Sequence, residues 1–212
     1  MVNPAGSAVW QGREYSRPLR VLRDWNIDDE LHWFLAATFE GEAIAVGFAD
    51  VQPVRADLET WPGIEMHQWR SSLDEAAYTH AVASTRDSIA LGDVYQANIC
   101  RVLSAPIPHV GSLRGLWRLL DAQHGAPFSG YIDIPAGASD ALPEGLGIVS
   151  SSPELFLQRR GQTLLTAPIK GTAPTEHALL PKDRAENLMI VDLMRNDLAM
   201  VSVPGSVSVP KL

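Results

Sequence analysis

Apolar residues in this chain come in short runs, and turn residues interrupt them before any run becomes long. His32 to Phe39 (HWFLAATF) and Glu42 to Phe48 (EAIAVGF) have the length of strands, and Gly and Pro punctuate the stretches around them. No run reaches the roughly 18 residues needed to cross a bilayer as a helix, so no membrane partner is expected. Scattered Pro and Gly leave no low-complexity stretch, and no period repeats along the chain. With 212 residues, 46% of them hydrophobic, a sizeable core can form, which implies one domain or one domain with a small lobe.

Five of the six tryptophans, Trp10, Trp25, Trp33, Trp61 and Trp69, fall within the first 70 residues. Together with the short apolar stretches they predict a small antiparallel β lobe with aromatic core residues over 1–70. Ser72-Leu73-Asp74-Glu75 has the S-x-x-E form of a capping box. Tyr78, Val82 and Ile89 then recur at helical spacing, and Gly92 suits the stop. Asp93 to Leu103 (DVYQANICRVL) alternates like a strand, which would make Cys100 a small core residue. Ser112 to His124 predicts a second helix with Leu113, Leu116, Trp117 and Leu120 on its stripe, and Pro127–Ile134 and Leu146–Ser150 predict further strands. Helices followed by strands with hairpin-length connections give an α+β class, with antiparallel sheets and helices outside them.

A net charge of −8 disfavours a nucleic-acid partner, because such binding needs a basic face to neutralise phosphates. The single Cys100 excludes an internal disulfide or a CxxC knuckle, and the six histidines show no metal-ligand spacing. The first twenty residues lack the apolar stretch of a secretory signal, so a cytoplasmic location is expected.

Three segments hold polar residues that folding alone does not require: SSSPELFL (150–157), TAPIKGT (166–172) and KDRAENLMIVDLMRND (182–197). The first two read as arms of one hairpin turning near Arg160-Gly161, which sets Glu154 opposite a residue close to Ala167 or Pro168. Lys170 then lies two or three positions further along the partner strand. A desolvated lysine can act as a nucleophile or base, and a carboxyl group in an apolar pocket can act as an acid. Taken alone, such a pair is more often a salt bridge at a sheet end. The third segment reads as a helix with Glu186, Met189 or Ile190, Leu193 and Asp197 on one side, closed by Arg195-Asn196-Asp197. Glu186 is either a surface residue at the stripe's edge or an inward carboxylate for a hard cation such as Mg²⁺.

In this order, GDVYQANI, SSSPELFL, APIKGT and DRAENLMIVDLMRNDL resemble the chorismate-utilising enzymes. That family includes anthranilate synthase component I, aminodeoxychorismate synthase component I, isochorismate synthase and salicylate synthase. The resemblance runs from about Asp74 to Leu212 and implies that 71–212 is the first half of a chorismate-binding domain. Gln96 stands where the water-using members carry a lysine, and PIKGT replaces the PIAGT typical of anthranilate synthases. The pattern is therefore closest to aminodeoxychorismate synthase component I, which makes 4-amino-4-deoxychorismate for p-aminobenzoate and folate.

The resemblance implies chorismate as substrate, Lys170 as nucleophile and Glu154 as general acid. It also implies Gly171, Thr172 and Gln96 at the substrate, Lys182 nearby, Glu186 as a ligand of Mg²⁺, and a glutamine amidotransferase subunit supplying ammonia. Thr175 replaces a usual arginine of the loop. The chain stops in GSVSVPKL, before the family's further metal-binding glutamates and carboxylate-gripping residues. This predicts a truncated site, inactive and unstable by itself. A non-catalytic remnant that binds the amidotransferase or a complementing half, and an anthranilate synthase, are the alternatives.

Overall fold

A computed structural model describes residues 5–56, 59–108, 112–171 and 181–210. One compact unit comprises Met1–Asp57 with Leu116–Leu212, and the second is Leu58–Gly115. These units are drawn differently from the division expected at residue 70.

The first unit is built on a six-stranded antiparallel sheet. Its strands are β1 (Ser7–Trp10), β2 (Arg13–Leu22), β3 (His32–Ala37), β4 (Ala43–Pro53), β7 (Phe128–Ile134) and β8 (Leu146–Ser152), in the order β3-β4-β2-β1-β7-β8. Gln11 and Gly12 both take positive φ, the backbone a two-residue hairpin between right-twisted strands requires, and Trp10 pairs with Arg13 across it. The sheet is closed non-locally, since β1 also pairs with β7 from Ser7↔Asp133 to Trp10↔Gly130.

One hydrophobic cluster gathers Ala8, Val46, Phe48, Ile132 and Ile134, with Tyr15 and Phe34 packed against it. The Tyr15 and Phe34 rings meet edge-on at 4.9 Å, and Phe34 meets Phe48 the same way at 5.5 Å. A second cluster holds Val9, Tyr131 and Trp117. Trp117 lies on α2 (Leu113–His124), where its indole Nε1–H donates to Ser129 Oγ at 2.8 Å. After β8 the chain forms a separate hairpin of β9 (Leu155–Arg160) and β10 (Thr163–Ala167), and α3 (Pro181–Val201) follows. The α3 helix runs four residues beyond Asp197, so Arg195-Asn196-Asp197 does not end it; Arg195 instead bonds Asp192 one turn back at 2.6 Å.

In the second unit, β5 (Arg70–Ser71) and β6 (Leu103–Ser104) form a two-residue ladder around α1 (Glu75–Leu91). Asp74, not Ser72, caps α1: its carboxylate accepts the Ala77 N–H at 2.8 Å. The Ser72 hydroxyl is engaged elsewhere, accepting the Val102 N–H at 2.9 Å. At the other end, Gly92 at φ +83° sends its N–H to Ile89 and Asp93 sends its own to Ser88, a Schellman closure. That closure consumes the start of the expected Asp93–Leu103 strand. Among the described residues no ladder takes in the alternation before Leu103, because β5 offers two residues to pair with. Cys100 is therefore exposed rather than a core residue. The expected stripe of α1 is exposed too, and none of its residues is buried.

Every ladder between these strands is antiparallel, so the α+β class holds. Among the described residues no helix is long and apolar enough to cross a membrane.

Candidate active site

The β9–β10 hairpin turns at Gly161, whose φ of +58° suits a residue without Cβ, and pairs Arg160 with Thr163. Pairing continues through Leu164↔Arg159 and Leu165↔Gln158, then resumes at Ala167↔Leu155. Phe156 and Leu157 thus face a single residue, Thr166, which is a β-bulge. The Thr166 hydroxyl spans it, 2.7 Å from the Phe156 carbonyl oxygen and 3.3 Å from that of Leu155.

Just before β9, the Glu154 carboxylate reaches across the hairpin and its Oε1 accepts the Ile169 N–H at 3.2 Å. The Ser152 hydroxyl holds the same segment, donating to the Glu154 carbonyl at 3.0 Å and accepting the Glu154 N–H at 3.4 Å. Glu154 is exposed, whereas Lys170, next to Ile169, is half-buried. Gly171 follows at φ +78°. A carboxylate anchored to the backbone beside a lysine can serve as an acid next to a nucleophile. Thr172 and Thr175 lie outside the described residues.

The remaining expected residues lie on other elements. Glu186 and Lys182 are exposed on α3, and Gln96 is half-buried in the irregular run after α1, in the other compact unit. Beside Glu186, the Asn187 Oδ1 is buried without a partner among the described residues, as is the Ser151 Oγ at the end of β8. Among the described residues no group of three or more His, Cys, Asp or Glu is placed to hold a metal ion. An apolar cavity of about 160 Å³ opens on the six-stranded sheet, bordered by Phe34, Ile44, Ile132 and Ile148.

Sequence spacing identified both arms of the hairpin but not Thr166 as its clamp. A β-bulge has no fixed sequence signature, and a threonine in a strand otherwise reads as an ordinary β-former.

A family profile described as chorismate binding enzyme matches residues 48–212. Aminodeoxychorismate synthase component 1 of Klebsiella aerogenes is 38% identical over 156 residues, covering 68% of this chain and 32% of that protein. Anthranilate synthase component 1 of Streptomyces coelicolor is 34% identical over 156 residues, covering 68% of this chain and 29% of that protein. An anthranilate synthase component 1 of Haloarcula marismortui is 35% identical over 225 aligned residues, covering 95% of this chain and 42% of that protein. The chain spans about a third of the length of the first of these relatives.

Proposed function

Because the chain belongs to the chorismate binding enzyme family, we propose that it carries the nucleophile and acid of an aminodeoxychorismate synthase component I. The observation that supports this best is the Glu154 carboxylate held by the Ile169 N–H, one residue from Lys170. In this reading the Lys170 amine forms a C–N bond to the chorismate ring. The C4 hydroxyl departs as water, carrying the proton that Glu154 supplies. Ammonia then bonds to C4, the lysine C–N bond breaks and Lys170 is regenerated, giving 4-amino-4-deoxychorismate. Two displacements divide one difficult step into two easier ones, and an acid is needed because hydroxide leaves poorly.

Gly171, Thr172 and Gln96 belong to substrate binding in this proposal, and a glutamine amidotransferase subunit in the cytoplasm supplies the ammonia. Mg²⁺ enters it as an ion to which Glu186 gives one oxygen, with the remaining ligands coming from outside the described residues.

A second reading, anthranilate synthase, is favoured by the match to the Haloarcula protein of that name over 95% of the chain. Both are tested on the protein as isolated from its own cells, given chorismate, Mg²⁺ and ammonium, with products identified by mass spectrometry. The expected product is 4-amino-4-deoxychorismate, lost by about 100-fold or more in Lys170→Ala and in Glu154→Gln. Anthranilate that persists in Lys170→Ala establishes the second reading, and untouched chorismate overturns both.

A further inference from the structure

We propose that the bulge clamped by Thr166 is the register device that puts Glu154 and Lys170 on the same face of the hairpin, which makes Thr166 a positioning residue of the site. The inference rests on the roles given to Lys170 and Glu154 above and adds a residue to which those roles give no part.

Side-chain parity carries the argument. In an antiparallel ladder, residues directly opposite point to one face, and a slip of one residue moves every later side chain to the other. Counting from Leu165↔Gln158 without a bulge would pair Glu154 with Ile169 and Lys170 with Pro153. Those two pairs lie on opposite faces, so acid and nucleophile would be separated by the sheet. The observed shift pairs Leu155 with Ala167 instead. Carried past that last observed pair, the same register would set Glu154 opposite Pro168 and, two pairs later, Lys170 opposite Ser152. In that extended register Pro168, Lys170, Glu154 and Ser152 would all lie on one side of the hairpin.

Burial along the second arm shows the same alternation continuing past the end of β10. Leu164, Thr166, Pro168 and Lys170 are half-buried, whereas Leu165, Ala167 and Ile169 are exposed. Lys170 thus keeps the parity of Thr166. The bulge needs a fixed occupant because two residues, Phe156 and Leu157, face one. The Thr166 hydroxyl supplies it by bonding the carbonyls of both Leu155 and Phe156. Bulges beside active sites re-aim side chains in this way.

Thr166→Val keeps the β-branched shape and removes the hydroxyl, whereas Thr166→Ser keeps the hydroxyl. In the ¹⁵N-labelled full chain, Glu154→Ala first identifies how the Ile169 amide resonance moves when its acceptor is lost. Thr166→Val is expected to move it in the same direction and Thr166→Ser to leave it in place, with the Leu164 and Arg159 amides unmoved throughout. In turnover by the protein from its own cells, Thr166→Val is expected to lower kcat about 100-fold with KM nearly unchanged, and Thr166→Ser to restore most of it. An unmoved Ile169 amide in Thr166→Val overturns the inference. Equal losses in the Val and Ser variants, or loss of the Leu164 and Arg159 signals as well, also overturn it. If the wild type makes no 4-amino-4-deoxychorismate, the functional reading falls by itself and the amide resonances still decide the register.

Discussion

The indole–hydroxyl bond between Trp117 and Ser129 joins α2 to the central sheet and offers a closed thermodynamic test. Trp117 is 8% exposed and Ser129 7%, so neither group has water to fall back on. Trp117→Phe removes the donor and leaves the Ser129 hydroxyl buried and unpaired, at about 2 kcal/mol. The smaller ring adds about 1 kcal/mol of lost apolar burial against Val9 and Tyr131. Ser129→Ala orphans the indole N–H at about 2 kcal/mol. The double variant removes both polar partners, so its loss should fall to about 2 kcal/mol, against about 5 for the summed single variants. In urea, with a slope of about 2 kcal/mol per molar, Trp117→Phe lowers the midpoint by about 1.5 M. Recovery in the double variant should raise the midpoint again. Single losses that add to within about 0.5 kcal/mol would refute the claim that the bond is made in the folded chain.

Other expectations concern the sheet and its surroundings. At Gly130 an added Cβ would sit 2.5 Å from the Val9 carbonyl oxygen and 2.8 Å from Trp10 Cε3, so Gly130→Ala should destabilise by about 2 kcal/mol or more in the same urea assay. Asp50 accepts two hydrogen bonds from the Arg17 guanidinium at 2.8 Å, which hold its carboxyl below the ordinary value. A depressed folded value means stability that is present above the unfolded value and disappears as pH falls through the folded one. The melting temperature of the wild type should exceed that of Asp50→Asn at neutral pH, with the gap closing in acid and narrowing in salt. Cys100 should react with a thiol reagent in the native chain at the rate of a free thiol, and protection lifted only by denaturant would contradict its exposure.

Local chemistry was legible in the sequence wherever a single residue type settles a conformation. Gly92 stops α1, Gly161 turns the β9–β10 hairpin, and the stripe around Trp117 does bury one side of α2. Readings that depended on a distant partner fared differently. Among the described residues the Asp93–Leu103 alternation is paired in a ladder only at Leu103, and β1 finds its second neighbour more than a hundred residues away. Capping was misplaced by two residues because Ser72 and Asp74 are both good caps, and the nearby Val102 N–H engages the serine. Within the proposed site, composition and spacing pointed to Glu154 and Lys170 as candidates. Their relative parity depended on a bulge, which a count of residues between two motifs leaves undetermined by one.

The exposure of the hairpin bears on what these residues can do in 212 residues alone. Acid–base chemistry on a departing hydroxyl gains most when water is excluded and the groups are held in place. In the proposed reading the second condition is met by the Ile169 N–H on Glu154 and the Thr166 hydroxyl. The first is not, since Glu154 is exposed, Phe156 beside it is 86% exposed, and Leu157, Leu165 and Ile169 are open to solvent as well. Apolar side chains on both arms of the hairpin are therefore the surface that a cover would bury, and burying them would desolvate the acid and the lysine together. In the proposed reading, positioning comes from the hairpin's own backbone, while desolvation would require a cover over that surface.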